Sequence, residues 1–349
     1  MFTKNKKNNS TGIVITRTPF RVSFIGGGTD TPDYFNNKRG GVLGTSISKY
    51  TYVTINSLER LLQKKIRTSY SKLETVDDID QLEDAYVREI LKANINIYEN
   101  DFYDIHTFSD LPSGSGVGSS SSFVVGMLNA VHSLNGIFKT PKELANEAIH
   151  IERVILNEKG GWQDQIFAAY GGLNYIKFQD DAYDVSKVSI SRDNRRELEA
   201  SCMLFFTNIK RSSSAIQKKV FKKDNLEKKQ QYFDEIFDLS QIGLEALYAN
   251  NRNNEMLKDF GEILNRGWHL KSSLSSSISN NTIDDIYNSA MNAGALGGKV
   301  CGAGGGGFII FIVPEENQKS VRKSLSKLKE IKVKFDDYGS KVVFSQNQQ

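Results

Sequence analysis

Apolar positions over residues 13–25 recur closely enough to predict a strand, interrupted at Pro19 and running into Gly26-Gly27-Gly28. Residues 50–55 alternate and predict a second strand, whereas residues 60–84 are polar and mixed and read as strand and loop without placeable bounds. Helical spacing follows over 85–99, then a short strand over 104–108 that leads into Leu111-Pro112-Ser113-Gly114-Ser115-Gly116-Val117-Gly118. Val124, Met127, Leu128, Val131 and Leu134 form one apolar stripe and predict a helix from about 119 to 135. The next helix carries its own start signal, with Thr140 as N-cap, Pro141 in the first turn and Glu143 three residues after the cap. It is expected to run to about residue 158, and 172–178 reads as a strand.

Residues 179–196 turn polar and charged, which places the expected domain boundary there: a flexible tail over 1–12, one domain over 13–185, a second over 186–349. The second half opens on a strand at 203–209, continues with helices at 226–250, 253–277 and 284–293, and reaches the glycine-rich segment 302–307. A buried strand at 308–313, a helix at 316–330 and a last strand at 341–344 complete it. Strands and helices mix without the regular alternation of a doubly wound sheet, so the expected class is α+β.

Composition narrows the function more than the fold. Lys and Arg total 45 against 41 Asp and Glu, a net charge of +4, too small an excess for nucleic-acid or membrane binding to be the main business. Two cysteines, Cys202 and Cys301, make no disulfide framework and suit a reducing compartment. The 4 histidines are scattered, without the spacing of a transition-metal site. The lysine- and asparagine-rich start does not read as a signal peptide. These features lead us to expect a cytoplasmic protein acting on a small molecule, with homo-oligomers possible but not indicated.

Glycine clusters at 26–28, 114–118 and 302–307 all sit at element ends. The middle one is followed by Ser119 to Ser122 opening an apolar-striped helix, a combination of backbone N–H groups, hydroxyls and helix dipole that favours an anion. Alone, it also suits a tight turn with a serine cap. It matches neither a Rossmann fingerprint nor a Walker A loop, since Gly298-Lys299 is followed by Val300. Three acids stand out. Glu152 shares an i, i+4 stripe with Leu144, Ala148 and Leu156, where a charge is costly unless it pairs, with Arg153 next to it as the candidate, or meets a metal. Asp164 lies between glycines and an apolar run, and Asp30 follows the first glycine cluster; on their own they also read as a helix N-terminal acid and a turn residue.

Together these pieces resemble the GHMP kinases. Thr18-Pro19-Phe20-Arg21-Val22-Ser23-Phe24-Ile25-Gly26-Gly27-Gly28-Thr29-Asp30 is similar to their first motif. Pro112-Ser113-Gly114-Ser115-Gly116-Val117-Gly118-Ser119-Ser120-Ser121 resembles their phosphate-binding motif, and Lys299 to Gly307 looks like the third, with Cys301 where Ser or Thr is usual. The resemblance implies an N-terminal domain like ribosomal S5 domain 2, a ferredoxin-like C-terminal domain and ATP in the cleft between them. It implies Mg²⁺ on Ser120 and Glu152, a catalytic Asp164, and Arg21 as its basic partner.

Within the family, galactokinases carry Glu and His where this chain has Gly27 and Gly28. Gly-Gly-Gly-Thr-Asp-Thr-Pro is similar instead to the D-glycero-D-manno-heptose 7-phosphate kinases, as are Gly160 to Gln165 and Phe206 to Ser212, with L-fucokinases the nearest alternative. Those relatives imply transfer to an anomeric O1. The expected substrate site comprises Gly27, Gly28, Thr29, Asp30, Gly304 and Gly305, with Lys210, Arg211 and Lys271 for a distal phosphate. A non-catalytic ATP- and sugar-binding sensor on the same fold is the rival reading.

Overall fold

The computed structural model describes residues 12–59, 64–97, 101–209, 226–249 and 255–347. Strand β1 (Gly12–Ile25) runs through Pro19 rather than breaking there. The proline, which has no N–H to give, sits where the register against the next strand shifts, between Pro19 and Phe20. After the short helix α1 (Pro32–Phe35), strand β2 (Gly40–Glu59) is 20 residues long, far longer than its alternating stretch predicts. Gly40 to Ile47 is buried at every position, so no alternation marks that half; from Thr51 onward one face is open.

The unplaced stretch contributes β3 (Ile66–Ser69) and β4 (Leu73–Val76) before α2 (Ala85–Asn94), shorter than expected. Strand β5 (Asp101–Ser109) leads to α3 (Ser119–Leu134), and α4 (Pro141–Ile149) starts on the expected capping box of Thr140 and Glu143. This helix does not continue regularly to 158 but widens into a π-helical turn, His150–Ile155. Helix α5 (Gln163–Tyr170) and β6 (Leu173–Gln179) follow. The polar stretch read as a boundary forms strand β7 (Ala182–Lys187), paired to β6, and then helix α6 (Arg192–Ser201).

Beyond β8 (Cys202–Phe206) come α7 (Leu226–Tyr248), α8 (Glu255–Ser273) and α9 (Asn281–Asn292). Strands β9 (Gly297–Val300) and β10 (Phe308–Ile312) flank the third glycine cluster. Helix α10 (Gln318–Ser324) is shorter than its pattern, because β11 (Lys329–Ile331) takes the end of it. Strand β12 (Lys341–Asn347) closes the described chain.

The first sheet has 8 strands, with β12-β1-β2-β5-β3-β4 along one path and β6 and β7 branching from β2; only β3 and β5 pair in parallel. The second is antiparallel, β11-β8-β10-β9, the order of a ferredoxin-like βαββαβ unit. The α+β expectation therefore holds. The sheets do not divide the chain at 185/186, because β12, late in the sequence, pairs with β1.

Packing joins the two halves. One cluster buries Val124, Leu128 and Val131 of α3 against Val53 and Ile55 of β2. A second spans both sheets, with Phe20, Phe24 and Leu43 meeting Leu204, Phe260 and Phe308, so the cleft between the domains has a shared apolar floor. Among the described residues, no helix is long and apolar enough to cross a membrane.

Candidate active site

A cleft of about 470 Å³ opens between the domains, lined by the first and second glycine clusters, Glu152, Asp164, Lys271 and the start of the third cluster. Strand β1 delivers Arg21 to its base. The guanidinium is 3% exposed; Nη2 and Nε lie 2.6 and 2.9 Å from one carboxylate oxygen of Asp164, and Nη1 donates to the Gly116 carbonyl at 2.7 Å. One side chain thus fastens the first motif to the second and to the first turn of α5.

Gly118 caps α3 in the left-handed region, φ 78°, without any side-chain cap. The helix therefore begins on the cleft wall with Gly114, Gly116 and Ser119 to Ser121 around it. The rest of the second motif builds rather than faces the cleft. Val117 is in the core, the Ser115 hydroxyl donates to the Pro112 carbonyl at 2.7 Å, and the Ser115 carbonyl accepts from the Phe308 N–H at 3.0 Å. Pro112 and Ser113 are exposed outside the cleft.

Glu152 sits in the π-helical turn with its side chain buried; such turns recur at functional sites. It is 2% exposed. Oε2 accepts from the Ser121 hydroxyl at 3.2 Å and lies 3.4 Å from Arg153 Nη1, while Oε1 is buried without a partner. Burial pushes its pKa up to about 7, against the lowering pull of Arg153 and Ser121. The pairing with Arg153 that the sequence suggested is present, yet it leaves one oxygen unsatisfied. Ser120 is exposed on the cleft wall, and it is Ser121 that hydrogen-bonds the glutamate.

Asp30 is 1% exposed and ties two loops together. Its oxygens accept from the Gly28 N–H at 2.8 Å and the Gln163 N–H at 3.2 Å, and its carbonyl accepts from the Trp162 N–H at 3.1 Å. Burial raises its pKa, with the nearby Asp164 charge adding to the rise. Thr29, expected at the substrate, is instead fully buried, donating to the Gly26 and Gly41 carbonyls at 2.8 and 3.1 Å.

Lys271, from the end of α8, donates to the Gly302 carbonyl at 2.8 Å and lines the cleft. Lys210 and Arg211 lie outside the described residues. In the third motif Gly302 and Ala303 line the cleft, whereas Gly304 packs on Ile278 and the Gly305 N–H donates to the Ile278 carbonyl at 2.7 Å. Lys299, which opens the third motif but carries no role of its own in the sequence reading, is 4% exposed and donates to the Ser23 carbonyl at 2.7 Å, bridging the two domains beneath the first glycine cluster. Burial holds its pKa well below the usual lysine range, with Lys271 adding to the depression. A lysine inside an otherwise apolar strand was the available signal.

A phosphate-type loop opening a helix, a buried carboxylate with an open oxygen, and an arginine-held aspartate facing one cleft define a phosphotransferase that acts on an alcohol acceptor. Residues 85–172 match the family of GHMP kinases N terminal domain, and residues 245–330 match GHMP kinases C terminal. The chain is 33% identical over 331 residues to D-glycero-alpha-D-manno-heptose 7-phosphate kinase of Campylobacter jejuni, covering 89% of this chain and 93% of that one. It is 26% identical to the bifunctional fucokinase/GDP-fucose pyrophosphorylase of Arabidopsis thaliana, over 90% of this chain but 31% of the relative. A D-glycero-D-manno-heptose 1-phosphate kinase from Bacteriodes thetaiotaomicron superposes with a TM-score of 0.73 at 26% identity, covering 96% of this chain and 99% of that one. The chain belongs to the GHMP kinases.

Proposed function

We propose that this protein transfers the γ-phosphoryl group of ATP to the anomeric O1 of D-glycero-D-manno-heptose 7-phosphate, giving the 1,7-bisphosphate and ADP. The observation that carries the reading is the acceptor end of the cleft. Asp164 faces it in the grip of Arg21, and a cation, Lys271, stands near Gly27 where the acceptor enters. The relative at 33% identity that is named a heptose 7-phosphate kinase supports the same substrate class.

Phosphoryl transfer asks the protein mainly for positioning and charge neutralisation. The N–H groups around Gly114 to Ser121 and the uncapped start of α3 hold the nucleotide phosphates. Asp164 accepts the proton of the attacking hydroxyl as the O1–P bond forms and the bond to the ADP oxygen breaks. Arg21, fixed by Asp164 and the Gly116 carbonyl, keeps that carboxylate aimed and adds positive charge beside the reacting oxygens. The unpartnered Glu152 Oε1, with the hydroxyls of Ser120 and Ser121, is a hard-oxygen set that fits Mg²⁺, which needs few protein ligands. When bound, Mg²⁺ neutralises phosphate charge. Lys271 takes the sugar's distal phosphate as a point charge.

The test is ADP release with Mg-ATP across heptose 7-phosphate, the unphosphorylated heptose, L-fucose and galactose. Preference for the heptose phosphate supports the assignment. Preference for L-fucose or another unphosphorylated sugar retains the kinase and removes the distal phosphate from the reading. No turnover on any of them overturns it in favour of an ATP- and sugar-binding sensor.

A further inference from the structure

The acceptor end of the cleft has two unlike sides. One is polar: Asp30, Lys271 and Gln163, whose side-chain Oε1 is buried without a partner. The other is apolar: Phe233 of α7 with Leu274 and Ile278 just beyond α8. Phe233 is 5% exposed and packs in one apolar cluster with Leu274 and Ile278, yet it also lines the cleft. Its ring lies against Gly28, where a Cβ would come within 2.7 Å of it, and tilts against Tyr34 with ring centroids 5.6 Å apart.

The next residue, Asp234, fixes that placement. It accepts from the Tyr34 hydroxyl and from Lys38 Nζ, both at 2.8 Å, so α7 is latched to the helix that follows the first glycine cluster. The ring is thereby held against the Gly28 loop, in a cleft that Asp30, Lys271 and Gln163 also line. A pyranose has the same two-sided chemistry: hydroxyls around its rim and a C–H face that packs on an aromatic ring.

We infer that Phe233 is a specificity-determining residue of the acceptor site, with its ring packing on the C–H face of the sugar while the Gln163 amide meets a hydroxyl on the opposite side. Within this arrangement, the Tyr34–Asp234–Lys38 latch positions the ring without touching substrate. The inference rests on the sugar-acceptor reading above, and two readouts separate their fates.

In steady-state kinetics with heptose 7-phosphate, Phe233→Leu raises the acceptor KM about fivefold to tenfold and leaves the KM for ATP within about twofold. In thermal unfolding, the rise in Tm that the sugar phosphate induces shrinks in the variant, while the rise induced by Mg-ATP is kept. Phe233→Met, whose flexible apolar side chain refills the space without a ring, serves the same comparison if the leucine variant does not fold. Unchanged acceptor KM and unchanged sugar-induced Tm in a folded variant overturn the inference while leaving the kinase assignment intact. Sugar binding that depends on Phe233 without ATP turnover sustains the inference and defeats the assignment. A wild-type protein that neither binds nor phosphorylates the sugar overturns both.

Discussion

Arg21 and Asp164, 143 residues apart in sequence, meet through two nitrogens of one guanidinium on a single carboxylate oxygen, at 2.6 and 2.9 Å. The second carboxylate oxygen makes neither of these bonds, and the remaining guanidinium nitrogen is spent on the Gly116 carbonyl. The aspartate is thus held by a group that also fixes the second glycine loop, so in the proposed reaction the donor and acceptor sides share one hinge pin.

Removing the acid separates chemistry from binding. Asp164→Asn should lower kcat by about 10² to 10⁴ while ATP still binds, as checked by single-turnover kinetics beside nucleotide titration. Arg21→Lys keeps the charge but loses the fork that reaches Asp164 and Gly116 together, so it should also lower kcat markedly. Near wild-type turnover in either variant would sink the proposed roles.

Glu152 gives the protein a pH signature. Burial raises its folded-state pKa from an ordinary 4.5 to about 7, so the folded chain holds this proton more tightly than the unfolded chain does. Stability from this group is therefore greatest below about pH 4.5 and falls as the pH rises to about 7. Above that the full cost, about 3 kcal/mol, is present. In metal-free buffer, Glu152→Gln should flatten the decline of Tm between pH 5 and 8 and be the more stable protein at pH 8. Mg²⁺ with ATP should raise the wild-type Tm at pH 8 by more than it raises the variant's, since the ionised carboxylate is what the cation would meet. Parallel pH–Tm curves for the two proteins would contradict this.

What could be read in the chain, and what could not, divides along physical lines. Local signals served well: the capping box at Thr140, the stripe of α3 and the glycine clusters at element ends all depend on neighbours in sequence. Features decided by distant partners were illegible. Gly40 to Ile47 carries no alternation because the protein covers both its faces, and the π-helical turn at Glu152 follows a regular helical stripe until tertiary packing widens it. For the site, motif membership found the cleft but not which members face it: Thr29, Gly304 and Gly305 hold backbone to backbone, while Phe233, in no glycine motif, lines the cleft, and Lys299 is buried beneath the first glycine cluster.

Lys271 should discriminate phosphorylated from unphosphorylated acceptors. Lys271→Met is expected to raise the KM for the heptose 7-phosphate about tenfold or more, with a much smaller change for the unphosphorylated heptose. Equal losses on both would point to a structural role through the Gly302 carbonyl.

Gly161 is a further point of control, because a Cβ there would lie 1.8 Å from Asp30 Oδ2. Gly161→Ala must push apart the loops that Asp30 joins through the Gly28 and Gln163 N–H groups. A fall in Tm with a rise in acceptor KM, larger than any change in the KM for ATP, is the expected outcome. Crystals of the variant with Asp30 undisturbed would refute it.

The pairing of β1 with β12 sets Gly12 opposite Asn347. On a ribosome that makes the chain from its N-terminus, β1 emerges long before β12 and its outer edge stays bare until Lys341–Asn347 has been made. The first sheet therefore cannot be completed in advance of the second. Premature termination anywhere in the second half leaves not a working fragment but an open strand edge, ready to pair with another chain.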